Sequence, residues 1–140
     1  MAAASNYTEG NLINAMLRGV AYPLPTGTFV SLHTGNPGET GSSNEVSTSA
    51  WPAYVRKSAE DGGAIGSGWT EPVDGESTNA KQILYPSNNG VSAVTVTHMA
   101  VWDAATGGNC LCYAPLNESR TLLPGDVFVF DVGSITARML

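Results

Sequence analysis

Two histidines, two cysteines and a scatter of loop carboxylates are the side chains with chemistry to offer. His33 and His98 are the only imidazoles. A general base needs a proton donor within reach and a partner that orients its ring. Neither histidine stands at a recognisable spacing from such a partner. Each sits inside a strand-like run, where a hydrogen-bonded structural role is the expectation. Gly66-Ser67-Gly68 is flanked by Ile65 and Trp69, so it lacks the outer glycines of a G-x-S-x-G nucleophile elbow. Paired carboxylates can hydrolyse glycosides when one is held protonated. Glu39, Glu45, Glu60, Asp61, Glu71, Asp74 and Glu76 all fall in polar loop segments, where solvated acids are expected.

Cofactor and metal chemistry fare no better. Residues 62–68 (GGAIGSG) have loose glycine spacing without a strand–helix pair around them, which a dinucleotide site requires. The oxygen donors from Glu39 to Glu45 lack the alternating acids of an EF-hand loop. Cys110 and Cys112, two apart on a strand, point to one face about 7 Å apart, too far for an easy disulfide. Two thiolates make half a zinc site, and neither histidine completes one at a familiar spacing. The expectation is two free thiols, no metal, no cofactor and no catalytic residue.

Composition narrows the partners. Net charge is −6 over 140 residues, only 13% of them charged, against about 25% in a typical soluble protein. The six cations (Arg18, Arg56, Lys57, Lys81, Arg120, Arg138) are scattered, whereas nucleic-acid binding needs several tracking a phosphate backbone. The opening MAAASNYTEG has neither the basic nor the apolar region of a signal peptide, and no apolar run approaches a membrane span. Synthesis in the cytosol, with no nucleic-acid or membrane partner, is expected.

The elements that position these residues are mostly strands. Residues 8–19 carry the one convincing helical signal, with Leu12, Ile13, Met16 and Leu17 on a single stripe expected to pack on the core. Thr8 or Asn11 suits its start and Gly19 its left-handed end. Period-two alternation follows at 28–34 (TFVSLHT), with Val30 and Leu32 opposite Phe29, Ser31 and His33. Shorter strands are expected at 54–58 and 82–85. Residues 94–103 (VTVTHMAVWD) begin as an alternation and end in an apolar run buried on both faces. A turn at DAATGG leads to a strand at 109–114, and strands at 127–132 and 134–139 complete the set. Residues 60–80 read as a long loop or an edge hairpin around Trp69. The sum is mainly β: an antiparallel, jelly-roll-like β-sandwich with one short N-terminal helix. Residues 1–7 read as an N-terminal arm and 8–140 as one domain. The expected core includes Val30, Leu32, Val96, Ala100, Trp102, Leu111, Phe128 and Phe130.

Two stretches are recognisable. The first is LHTGNPGE from Leu32, followed by NEVS from Asn44 and YVRK from Tyr54. The second is VTHMAVWDAATGGNCL from Val96. They resemble a family of small tailed-bacteriophage virion proteins that read "LHTADPGETG…NEVSG…YARQ", then "VTHFGIFDAATGGNLLYYGAL" and a closing "GDTLSF". The resemblance runs over about residues 11–137. The chain departs from it at 48–52, where Trp-Pro replaces a glycine turn, and at the cysteines. Such proteins are described as capsid decoration, tail-fibre-like or structural proteins, and no catalytic residue comes with the likeness.

The resemblance implies a virion component, and low charge with short length favours a capsid decoration (cement) protein on the outer head. It would act as a homotrimer binding major capsid protein. The alternative is a tail-fibre-like or minor tail subunit that binds host-surface carbohydrate. The loop after Leu32 is expected to project as an interface arm: Asn36, Pro37 and Gly38 give a turn, and Glu39 and Glu45 would meet cations on a neighbour. Trp51, Tyr54 and Trp69, in or near polar loops, complete the interface candidates. Their rings could stack on a sugar or neighbour, although closing the ends of the core is the preferred reading.

Overall fold

In a computed structural model, residues 2–138 are described. Strand outweighs helix, 34% against 9%, and all strand pairs are antiparallel, which makes the chain mainly β. Nine strands and one helix follow in order among those residues: β1 (Ala3–Ala4), α1 (Asn6–Arg18), β2 (Phe29–His33), β3 (Lys57–Ser58), β4 (Glu76–Thr78), β5 (Ile83–Leu84), β6 (Val94–Trp102), β7 (Cys110–Leu122), β8 (Val129–Phe130) and β9 (Thr136–Arg138). One sheet runs β1-β7-β6-β2-β3, and two ribbons, β4-β9 and β5-β8, complete a sandwich-like arrangement.

The five-stranded sheet has two unlike faces. Val30, Leu32, Val96, Met99 and Val101 meet Ile83, Tyr85, Phe128, Phe130 and Ile135 in the main core. Tyr85 lies edge-on to Phe128 and Phe130 and donates its hydroxyl to the Val30 carbonyl at 2.7 Å, tying the ribbon side to the sheet. On the other face Ala100, Trp102 and Cys110 cluster with Phe29 and Tyr113. Met99, Ala100, Val101 and Trp102 are all buried, as a strand covered on both faces requires. The core positions expected from the pattern are buried, with Leu111 half-buried against the main cluster.

Two bulges set the parity of the long hairpin. Cys112 pairs with Val101 and Cys110 with Trp102, so Leu111 has no opposite residue. That extra residue reverses the side on which Cys110 lies. Cys112 packs toward the main core and Cys110 beside Trp102, which corrects the expectation of two thiols on one face. Further along, Val96 pairs with Arg120 and His98 with Pro115, leaving residues 116–119 on β7 against Thr97 alone.

The N-terminal segment expected as an arm is drawn into the fold. Ala3 and Ala4 pair with Tyr113 and Cys112, and Asn6 and Tyr7 already belong to α1. Ser5 rather than Thr8 caps the helix, accepting from the Thr8 N–H at 3.2 Å, while Gly19 ends it at φ 67. The helix is also turned the other way from expectation. None of its residues is buried, and Ile13, Met16 and Leu17 are 51%, 65% and 78% exposed. Its attachments are polar: Thr8 Oγ1 donates to the Leu111 carbonyl at 2.7 Å, Ser5 Oγ to the Cys110 carbonyl, and the Asn6 N–H to the Glu39 carbonyl at 3.1 Å. Those bonds fix which side faces the sheet, and Ile13, Met16 and Leu17 are left in solvent while Leu12 is half-buried.

Candidate functional site

The loop at 34–45 folds back on the sheet instead of projecting from it. Asn36 Oδ1 accepts from the Gly38 N–H at 2.8 Å in an Asx turn, and Asn44 Nδ2 returns to the Asn36 carbonyl at 3.0 Å. Pro37 is fully buried, while Asn36 and Glu39 remain exposed. Gly41, at φ +72, lies so close to Cys110 and Trp102 that a Cβ there would sit 2.6 Å from Cys110 Cβ. The loop is therefore the cover of the Trp102 face, and the projecting-arm expectation is corrected.

Beneath that cover, His33 and Ser31 are fully buried. His33 Nδ1 donates to the Ser43 carbonyl at 2.8 Å, so Nε2 is the acceptor for the Ser31 hydroxyl at 2.7 Å. Trp102 Nε1 donates to Ser31 Oγ at 2.8 Å. A serine and a histidine thus form a hydrogen-bonded pair in a closed site where both are satisfied. Burial holds the His33 pKa below its ordinary value, against the opposing pull of the Ser43 bond and Glu45. His98 is half-buried, its Nδ1 2.8 Å from Thr97 Oγ1.

Glu45 meets its cation within the chain. Arg56 donates Nε to Glu45 Oε1 at 2.9 Å and Nη2 to Oε2 at 3.0 Å, a bidentate pair. The Tyr54 hydroxyl adds a third bond to Oε1 at 3.0 Å while accepting from the Leu32 N–H. Burial raises the Glu45 pKa, but the Arg56 bonds and charge together with Tyr54 outweigh it, and the net shift is downward. Arg56 also lies 3.8 Å over the Trp102 ring and binds the carbonyls of Ala104 and Gly107. Glu45 and Tyr54 are thus interior fasteners, a correction to their expected place at an interface. Trp51 is corrected in the same way: it is fully buried, with Nε1 donating to the Ser87 carbonyl. Trp69 is half-buried and donates to Thr28 Oγ1 at 2.9 Å.

Glu60, expected in solvent, is 2% exposed. Its carboxylate accepts from the Thr28 N–H at 2.9 Å and the Thr28 hydroxyl at 2.6 Å. Nothing in the local pattern separates it from its solvated neighbour Asp61. Burial raises the thiol of Cys110 to about 11 and that of Cys112 to about 12. Among the described residues no three His, Cys, Asp or Glu side chains converge as a metal site would need. No helix among them is long and apolar enough to cross a membrane.

An open concavity lies elsewhere. The 116–119 bulge of β7 and the segment from Phe128 to Thr136 enclose a cleft of 330 Å³. Its floor is apolar (Met99, Leu116, Phe128, Phe130, Ile135) and its rim polar (Asn117, Glu118, Arg120, Asp131, Ser134, Thr136). The size suits a small ligand and the rim suits hydroxyl groups. Phe128 and Phe130 are 2% and 7% exposed, so no aromatic face is offered for stacking.

A family model described as podophage GP4 fiber I protein gp80 matches residues 3–138, nearly the whole chain. The chain belongs to that family. Its members are tailed-phage virion proteins of the fibre type, which gives the Trp102 cover, the Arg56 clamp and the cleft a virion setting. A comparison with curated proteins finds no match. In this chain, Asn36, Gly38 and Glu39 stay at or near the surface, whereas Pro37, Glu45, Trp51 and Tyr54 serve the fold.

Proposed function

We propose that the chain is a non-enzymatic structural subunit of a phage tail fibre, held at the outside of the virion. The family match over residues 3–138 carries this reading, and it favours the fibre over the capsid-decoration alternative. The internal chemistry supports it. The Ser31–His33 pair is closed to substrate, and among the described residues every buried side-chain nitrogen or oxygen has a hydrogen-bond partner. Satisfied polar groups and a doubly covered sheet make a rigid part, which suits an external appendage. A net charge of −6 with scattered cations disfavours packaged DNA as a partner.

The cleft beside the β7 bulge is the surface this reading offers to host-surface carbohydrate. Its rim pairs an arginine with two acids and several hydroxyl and amide groups, which suits a hydroxyl-rich ligand. Location is decided by immunogold labelling of intact virions with antibody against this chain. Gold at the tail is expected. Gold over the head lattice would overturn the fibre reading and restore major capsid protein as the partner. Glycan-array binding that falls on Asn117→Ala or Arg120→Ala would assign the cleft its ligand, and a blank array would remove the carbohydrate role.

A further inference from the structure

We propose that the cleft beside the β7 bulge selects a neutral deoxyhexose, a sugar with a methyl group where the parent hexose has its exocyclic hydroxymethyl. The proposal rests on the carbohydrate role given above and names the class of sugar. The cleft is built in advance of any ligand. Ala3 pairs with Tyr113 and Ala2 bridges to Ala137, so β1 ties β7 to β9 at the edge of the cleft. Past that tie, the 116–119 bulge of β7 and the segment leading into β9 stand as its two walls. Its 330 Å³ is at the small end for ligand clefts, which suits a terminal sugar rather than a stretch of chain.

The floor dictates how a sugar enters. Phe128 and Phe130 are buried and pack edge to face on each other, and Arg120 stands 5.5 Å over the Phe128 ring. No ring face is open for a sugar to stack on. The rest of the floor is the apolar surface of Met99, Leu116 and Ile135. The backbone of the walls is largely spoken for. The Ile135 N–H donates to Asn79 Oδ1 at 2.8 Å, and its carbonyl accepts from the Asn79 N–H at 3.2 Å. The Ser134 N–H donates to the Asp131 carbonyl, and Pro115 has no N–H to give. A hydroxymethyl or acetamido group lowered onto this floor would bury polar atoms among carbon, whereas a methyl group buries none.

The rim selects hydroxyl groups without net charge. Glu118, Arg120 and Asp131 line it, and the ion pairs among the described residues involve none of them. Two acids against one cation leave the rim negative, within a chain that carries −6. That field turns away uronic and other acidic sugars. A hydroxyl both donates and accepts, so it suits the carboxylates, the guanidinium and the Asn117 amide alike. Ring hydroxyls at the rim and a methyl group at the floor make the ligand amphipathic in the same sense as the cleft.

The test is saturation-transfer NMR and titration of the full chain with matched sugar pairs: L-rhamnose against L-mannose, L-fucose against L-galactose, and D-quinovose against D-glucose. D-glucuronic acid and N-acetyl-D-glucosamine complete the panel. In at least one pair the deoxyhexose should bind about tenfold or more tightly than its parent hexose, the discrimination that an apolar pocket makes at one small group. The strongest saturation should fall on the methyl protons of the sugar. Leu116→Asn places an amide in the floor and should remove the preference, whereas Asn117→Ala at the rim should weaken both members of the pair and leave the preference in place. The wild-type comparison decides the matter even where a floor variant fails to fold. A parent hexose bound as tightly as its deoxy partner overturns the proposal and leaves the carbohydrate role standing. So does tighter binding of the acidic or acetamido sugar, or a preference that survives Leu116→Asn in a folded protein. No binding to any sugar overturns both the proposal and the carbohydrate role.

Discussion

Arg56 ties three parts of the fold together. One guanidinium holds Glu45 by two bonds, covers Trp102 and ties the 104–107 turn. A lysine keeps the charge but loses the planar fork and the stacking, so the change is not conservative. Breaking a fully buried pair costs about 3–5 kcal/mol. The Glu45 side chain is 27% exposed, which discounts that range, and Arg56→Lys should cost about 1–3 kcal/mol. The check is a lower denaturant midpoint at unchanged slope; an unchanged midpoint would make the clamp dispensable. The thiols give a second expectation at this scale. The thiolate is the reactive form, and burial raises both pKa values well above pH 8. A disulfide-exchange reagent at pH 8 should find no fast-reacting thiol in the native protein and two after unfolding. A fast thiol in the native protein would mean that the Gly41 cover opens readily. None of these partnerships is visible in the residue types, since Glu45 and Glu60 look like Glu39 until the loops that hold them close.

Among the elements, strands were legible and their exceptions were not. The alternation in β2 places Val30 and Leu32 opposite Ser31 and His33 because a pleated strand has a fixed period of two. The bulges at Leu111 and at 116–119 break that period without any local sequence signal, and the second one makes the cleft. The helix was legible as a helix, but its orientation depends on which side of it makes the first tertiary bonds. The 34–45 loop was legible as turns and misread as an arm, because glycine says that a backbone is special without saying what it approaches. Gly41→Ala should cost about 2–4 kcal/mol, from the left-handed backbone and from contact with Cys110 and Trp102. Gly38→Ala is the control: its φ is +75 but nothing lies near the added Cβ, so about 1 kcal/mol is expected. Equal midpoints for the two variants would contradict the close approach. Replacing residues 35–43 by a short Gly-Ser linker should likewise lower the midpoint, since the Trp102 face and His33 would lose their cover.

Acid stability is a property of the whole molecule, and two opposing effects act on it. Lowering the pH toward the pI of 4.6 removes the −6 net charge and relieves general repulsion, which favours the folded state. Specific sites act the other way. His33 is buried and its folded pKa lies below the unfolded value near 6.5, so the unfolded chain binds the proton more readily. Its contribution is complete above about pH 6.5 and is lost as pH falls from there through the lowered folded pKa. Glu45 also has a lowered folded pKa, and its contribution is lost as pH falls below its ordinary value of 4.5. Each unit of separation between folded and unfolded pKa is worth about 1.4 kcal/mol, and neither the burial that shifts His33 nor the direct Arg56 contact that shifts Glu45 is much screened by salt. General repulsion is long-ranged and largely screened at moderate salt. In 0.5 M salt the unfolding free energy should therefore be level from pH 8 to about 6.5 and decline below it. A second decline should begin near pH 4.5 and be absent in Glu45→Gln. His33→Gln should lower stability at pH 8 and remove the first decline. A wild-type curve that stays flat or rises between pH 6.5 and 5 would show that the closed Ser31–His33 site does not set the acid limit of this fold.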